Sequence, residues 1–115
     1  MKKILLVDRP ELRTCYKIFL NSKNVLFMES SRADEALKIA DDSSIDLMII
    51  SQELPDADGI DTIKKIRESG RTFPVILSTK KDIVSLESLP GVAYHNNRQE
   101  KLSDLKDKAA EYISF

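Results

Sequence analysis

Asp8 and Arg9 close a short apolar run, Ile4 to Val7, and set an acid beside a guanidinium. Ser51 follows a longer apolar run, Thr79 follows Val75 to Leu77, and Asn97 lies just past Val92 to Tyr94. A serine hydroxyl becomes a useful nucleophile only beside a base, and Asp8 is the candidate base. Its adjacency to Arg9 predicts an internal ion pair instead, worth roughly 1 to 4 kcal/mol across about 4 Å depending on local dielectric. Glu53 and Asp56 add acids just after Ser51. Glu53 either leans into the site, where it would meet Arg9 or a cation, or faces solvent; the sequence leaves both open. His95 is the single histidine and Cys15 the single cysteine. With no second soft ligand, His95 reads as a strand-end residue rather than part of a metal centre. Cys15 sits on an apolar helical face and reads as core rather than as a redox thiol.

Alternating strands and helices must position these residues. Ile4 to Val7, Val25 to Met28, Ile45 to Ile50 (broken by Asp46), Val75 to Leu77 and Val92 to Tyr94 are short apolar runs of the kind a doubly covered strand needs. Pro10 suits the first position of a helix, whose apolar face is Leu12, Cys15, Tyr16 and Phe19. Ser31 with Asp34 makes a loose cap for a second helix with Ala33, Ala36, Leu37 and Ala40 on one face. Ile60, Ile63 and Ile66 continue a third helix that Gly70 ends. A short helical segment is expected over 82–89, and a last helix carries Leu102, Leu105, Ala109, Tyr112 and Ile113 on one face. Strand and helix in alternation imply an α/β fold, a parallel sheet with helices on both faces. Ligands of such sheets sit beyond the carboxyl ends of the strands, which is where Asp8, Arg9, Ser51, Thr79 and Asn97 fall.

Those residues carry a family likeness. The segments KKILLVDRP, SSRADEALKIA, DLMIISQELPDADGIDTIKKIR and FPVILST resemble, in order, parts of the response regulator receiver domain of two-component signalling. Pro55, Asp58 and Gly59 lie at +4, +7 and +8 from Ser51, the family's offsets from its phosphoacceptor. The resemblance implies a flavodoxin-like fold with strand order 2-1-3-4-5. The stretch from Thr79 to Asn97 is about one helical turn shorter than usual, so the fourth helix is expected to be shortened. The family's chemistry uses two acids after the first strand and an aspartate after the third to hold magnesium and take a phosphoryl group. A Thr or Ser after the fourth strand and a Lys after the fifth then contact the phosphoryl oxygens.

The chain departs from that pattern at three of the five places. Arg9 stands where the second acid belongs, Ser51 at the phosphoacceptor, and Asn97-Arg98 where Lys-Pro is implied; Asp8 and Thr79 match. The family's three carboxylates and one lysine sum to −2. Here Asp8 and Arg9 cancel and Ser51, Thr79 and Asn97 are neutral, so the sum is zero. Magnesium needs anionic oxygen ligands, so weak or absent binding is expected, with no other cofactor and no enzymatic activity. Thr79 and Tyr94 match the family's paired switch residues.

The expected function is that of a pseudo-receiver, a signalling module that binds protein without being phosphorylated. The partner classes are a histidine kinase or a downstream effector, met through the face around the fourth and fifth strands, and a second copy of the chain. The alternatives are a working phosphorelay receiver that uses Glu53 or Asp56 as acceptor, and phosphorylation of Ser51 by a separate kinase. A flavodoxin-type cofactor protein fits less well, because its phosphate loop is rich in Gly, Ser and Thr and Asp8-Arg9-Pro10-Glu11 is not.

Composition bounds the rest. The 115 residues suffice for one domain, residues 1–115, and at 42% hydrophobic they can build one core. A net charge of −1 argues against a nucleic-acid arm or a polybasic membrane patch. No run approaches the roughly 20 apolar residues of a membrane span. A lone cysteine forms no internal disulfide, which suits the cytoplasm. No output segment follows the last helix in this sequence, so an effect is expected to pass through contact with another protein or through a fusion.

Overall fold

Strand residues that are apolar at every position need cover on both sides, and the helices supply it. A computed structural model describes residues 1–83 and 86–115. The strands are β1 (Lys2–Val7), β2 (Val25–Ser30), β3 (Leu47–Ser51), β4 (Val75–Thr79) and β5 (Val92–Asn96). They form one parallel sheet in the order β2-β1-β3-β4-β5, the order that the family resemblance implies. The helices among the described residues are α1 (Pro10–Leu20), α2 (Ala33–Asp42), α3 (Gly59–Glu68) and α4 (Leu102–Ala110). Leu5, Val7, Met48, Ile50 and Leu77 face α2 and α3 and pack with Ala36, Ala40, Ile60, Ile63 and Ile66. Ile4, Leu6, Leu47, Ile49 and Ile76 face α1 and α4 and pack with Tyr16, Leu20, Leu105, Ala109 and Ile113. The period-2 alternation of a strand thus divides one apolar run between two cores.

Several sequence expectations shift by about a residue. The buried positions on α1 are Tyr16 and Leu20, whereas Phe19 is 40% exposed. Likewise Ile113 is buried and Tyr112 is 41% exposed. A helix face spans about 100°, and the residue at its margin turns outward. Cys15 is half-buried at such a margin. The Ser31–Asp34 cap does not form. Arg32 is the N-cap of α2, with no side-chain cap of its own. Asp56, from the loop after β3, accepts from the amides of Ala33 (2.8 Å) and Asp34 (3.0 Å) instead. A carboxylate at the positive end of a helix is a stronger partner than a serine hydroxyl. The helical segment expected over 82–89 includes residues 84 and 85, which lie outside the described residues. None of the described residues between Thr79 and Val92 is α-helical, and the amide of Leu86 donates to the Ile83 carbonyl at 3.0 Å. Among the described residues no helix is long and apolar enough to cross a membrane.

The loop from β3 to α3 is clasped at both ends. Gly59 N donates to the Gln52 carbonyl at 3.0 Å, and Gln52 Oε1 accepts from Ile60 N at 2.9 Å. Asp58 caps α3 by accepting from Asp61 N at 2.8 Å. This closure needs a residue without a side chain at 59, because a Cβ there would meet Ser51 O at 2.5 Å and Leu77 Cδ1 at 2.7 Å. Gly59→Ala is therefore expected to lower stability by about 1 to 3 kcal/mol, read as a lower midpoint in urea unfolding. An unchanged midpoint would show that the loop yields without cost.

Candidate functional site

The carboxyl ends of β1, β3, β4 and β5 surround a small cavity of about 60 Å³ lined by Asp8, Arg9, Leu12, Ser51, Glu53, Lys80 and Asn97. Every pocket residue singled out from the sequence is brought here, with Thr79 buried behind Glu53. Asp56 is the exception among the acids, drawn away to the end of α2.

Asp8 is 3% exposed. Its Oδ1 accepts from the Arg9 amide at 2.8 Å and its Oδ2 from the Tyr16 hydroxyl at 2.8 Å. The expected ion pair between Asp8 and the Arg9 guanidinium does not form. Arg9 is the extended N-cap of α1, so its side chain leaves the sheet for solvent, where its Nε lies 3.9 Å from Glu11. Such an exposed pair contributes little. Burial pushes the Asp8 carboxyl above the usual aspartate range, and the Glu53 charge adds to that push. The bonds from Tyr16 and the Arg9 amide, and the Arg9 charge, oppose it. Burial and the nearby Asp8 charge also hold the Tyr16 phenol well above its ordinary range, so Tyr16 is a neutral donor. Its hydroxyl shares a hydrogen bond with Ser78 Oγ at 3.1 Å, and Ser78 Oγ accepts from Asn97 Nδ2 at 3.3 Å.

Ser51 is 5% exposed, and its hydroxyl folds back onto its own loop. Its Oγ accepts from Glu53 N at 3.1 Å and donates to Glu53 O at 3.3 Å. That turn sends the Glu53 side chain inward and settles the choice that the sequence left open. Glu53 meets no guanidinium. Its Oε2 accepts from the Thr79 hydroxyl at 3.0 Å and its Oε1 from Lys80 N at 3.3 Å. Tyr94, the other switch-like residue, points elsewhere: its hydroxyl donates to Glu87 O at 2.9 Å and accepts from Leu89 N at 3.0 Å.

His95 lies 1% exposed at the end of β5, as a strand-end residue. Its Nδ1 has no hydrogen-bond partner and stands 3.8 Å from Glu100 Oε1, which Lys108 also holds. Burial pushes the imidazole below its usual range, ahead of the opposing Glu100 charge, so it is neutral at pH 7.

Sequence reasoning missed Tyr16, Ser78, Lys80 and Asn96 as parts of this site. Tyr16 had a signal: a tyrosine on a buried helical face needs a partner for its hydroxyl, and Asp8 lies eight residues earlier, just past the end of β1. The other three become neighbours only through strand pairing.

Comparison with known proteins gives a consistent picture. Residues 4–88 match the family model of the response regulator receiver domain. Regulatory protein VanR of Enterococcus faecium is 37% identical over 81 residues, covering 70% of this chain and 35% of its own length. The alkaline phosphatase synthesis transcriptional regulatory protein PhoP of Bacillus subtilis is 35% identical over 82 residues, covering 70% of this chain and 34% of its own length. The chain thus spans about a third of the length of these relatives. A two-component response regulator from Clostridium difficile superposes with a TM-score of 0.84 at 25% identity, covering 97% of this chain and 95% of that one. Response regulator TrrA from Thermotoga maritima, solved in complex with Mg(2+)-BeF, gives 0.82 at 25% identity, covering 98% of this chain and all of that one.

The raised Asp8 carboxyl has a direct consequence for stability. A group raised in the folded state contributes stability that is complete below its unfolded value, 3.8, and is lost as pH rises through the folded value. At pH 7 Asp8 therefore burdens the fold. Asp8→Asn is expected to raise the thermal midpoint at pH 7, with the gain shrinking to nothing at pH 3. A variant less stable than the natural protein at pH 7 would mean that the two bonds to Asp8 outweigh its desolvation.

Proposed function

We propose that this chain, which belongs to the response regulator receiver domain family, is a docking module that keeps the family scaffold and does not accept a phosphoryl group. One observation carries the reading. Where the resemblance places an attacking carboxylate, the chain has a nearly buried hydroxyl committed to its own loop. A base would have to free it. Asp8 is the candidate base, and both its oxygens already accept hydrogen bonds from the protein. The same burial argues against Ser51 as the target of a separate kinase.

Magnesium does not fit the donor set. The ion requires several available oxygen ligands. Both carboxylates of the cavity, Asp8 and Glu53, have their oxygens engaged by protein donors. The cations Arg9 and Lys80 line the same cavity. With Asp8 and Glu53 at −2 and Arg9 and Lys80 at +2, the local charge is zero, the same balance that the sequence residues gave without Glu53 and Lys80. Other divalent ions would meet the same occupied oxygens.

Partners in this reading are proteins of a two-component pathway in the cytoplasm, a kinase or an effector, met through the face around β4 and β5. The relatives' names assign regulatory and transcriptional roles to proteins about three times as long, so those roles are not carried over to this chain.

Glu53 favours a second reading, because it alone among the loop acids reaches the cavity and could serve as an unusual acceptor. The two readings separate in one experiment. The natural protein and Ser51→Asp are each incubated with magnesium and acetyl phosphate, and intact masses are recorded. The natural protein is expected to gain no phosphoryl adduct. An adduct there would overturn the docking reading and point to Glu53. An adduct on the variant alone would identify the serine as the principal block, and its absence from both would assign the block to the whole charge arrangement.

A further inference from the structure

We infer that the Glu53 carboxylate is a built-in anionic ligand that holds the carboxyl ends of β4 and β5 in one arrangement, so that the docking face is set without an acquired charge. The inference rests on the docking reading above and assigns a positioning role to Glu53 within it.

The geometry is a continuous relay. Glu53 accepts from the Thr79 hydroxyl at 3.0 Å and from the Lys80 amide at 3.3 Å. Thr79 Oγ1 in turn accepts from Lys81 N at 3.0 Å. The Lys81 carbonyl accepts from Asn96 Nδ2 at 3.0 Å, and Asn96 Oδ1 accepts from the amides of Arg98 (3.0 Å) and Gln99 (3.2 Å). Backbone pairing from Asn97 N to Thr79 O at 2.9 Å closes the same junction. Thr79 and Asn96 are buried, whereas Lys80, Lys81, Arg98 and Gln99 are exposed. The relay therefore starts at a carboxylate in the cavity and ends beneath a surface.

Charge gives Glu53 its position. Two donors from adjacent residues, a hydroxyl and a backbone amide, converge on one point and call for an acceptor with two oxygens. An anion there makes charge-assisted bonds, roughly twice as strong as neutral ones. The family resemblance puts a phosphoryl oxygen against the residue that Thr79 matches. In this chain a side chain two residues beyond Ser51 supplies the oxygen, and it is present in every copy of the protein at all times. The turn at Ser51 aims it there, since the same hydroxyl that cannot serve as nucleophile fixes the backbone of Glu53.

The test uses amide hydrogen exchange and ¹H–¹⁵N spectra of the natural protein, Glu53→Ala and Glu53→Gln. The alanine variant is expected to speed exchange of the Lys80 and Lys81 amides at least tenfold and to shift the signals of residues 79–81 and 96–99. The glutamine variant, which keeps the size but replaces one oxygen by a donor facing the Lys80 amide, is expected to show the same pattern more weakly. If the alanine variant proves too unstable to measure, the glutamine variant alone decides. Changes confined to residues 51–55, with Lys80 and Lys81 protected as before, would overturn the inference. So would a glutamine variant indistinguishable from the natural protein, because the charge would then do nothing. Mass spectra of the same samples after acetyl phosphate report separately on the docking reading. A phosphoryl adduct on the natural protein would end that reading while leaving the exchange result as the measure of the relay.

Discussion

Two carboxylates, the buried Asp8 and the half-buried Glu53, stand at the carboxyl edge of the sheet, and neither pairs with a cation among the described residues. An unpaired buried charge is among the costliest features a fold can carry. Here neutral donors meet that demand, and the arrangement of those donors shapes the top of the molecule. Asp8 draws in Tyr16 from α1, then Ser78 from β4 and Asn97 from beyond β5. Glu53 draws in Thr79, Lys81 and Asn96. The two chains run side by side from β1 and β3 across β4 to the turn after β5, which joins four strand ends.

Much of the fold could be read in the sequence. The apolar runs and the proline at position 10 carry strand identity and helix entry in local pattern, and the spacing of Pro55, Asp58 and Gly59 from Ser51 carries the loop through the family resemblance. Local pattern fails where two elements compete for one group. Arg9 follows Asp8 directly, which suggested a pair, yet an N-cap backbone turns consecutive side chains apart. Asp8 instead found a phenol eight residues on, hidden within what reads as an apolar face. Asp56 reached α2 over 23 residues to displace Ser31 as its cap. Glu53 and Thr79 are 26 residues apart and Tyr16 and Ser78 are 62 apart. Contacts of that kind follow from sheet order, which the family resemblance implies, and from side-chain direction, which neither it nor the periodicity gives.

Electrostatics gives the cavity its character. Arg9 and Lys80 stand at its lining with side chains that reach water, and the acids sit beneath with every oxygen engaged. Fixed donors surround both charges, so in the proposed reading a cation or an incoming phosphoryl group would have to displace bonds already made. Ser51 belongs to the same arrangement. Its hydroxyl spends its bonding on the backbone of Glu53, and by doing so aims the carboxylate that completes the relay.

A retired site with only space to fill would be better served by apolar side chains, since replacing buried charged groups by well-packed hydrophobic ones is often neutral or stabilising. This chain has polar side chains at Asp8, Tyr16, Ser51, Glu53, Ser78, Thr79 and Asn96, and the hydrogen bonds join them into two networks. A fully satisfied buried network specifies one geometry more sharply than apolar packing, because each member tolerates few alternatives. The strands β4 and β5 have the most to gain. Between them the described residues supply no α-helix to cover the sheet; Tyr94 ties the connecting segment at Glu87 and Leu89, and Lys64 of α3 holds Glu87. Leu86, Leu89, Val92 and Tyr94 pack against the core there, and the hydrogen bonds from Glu53 to Asn96 tie the ends of both strands. The polar networks join the ends of β4 and β5 at this corner of the fold, and in the proposed docking reading the face that a partner would meet rests on them.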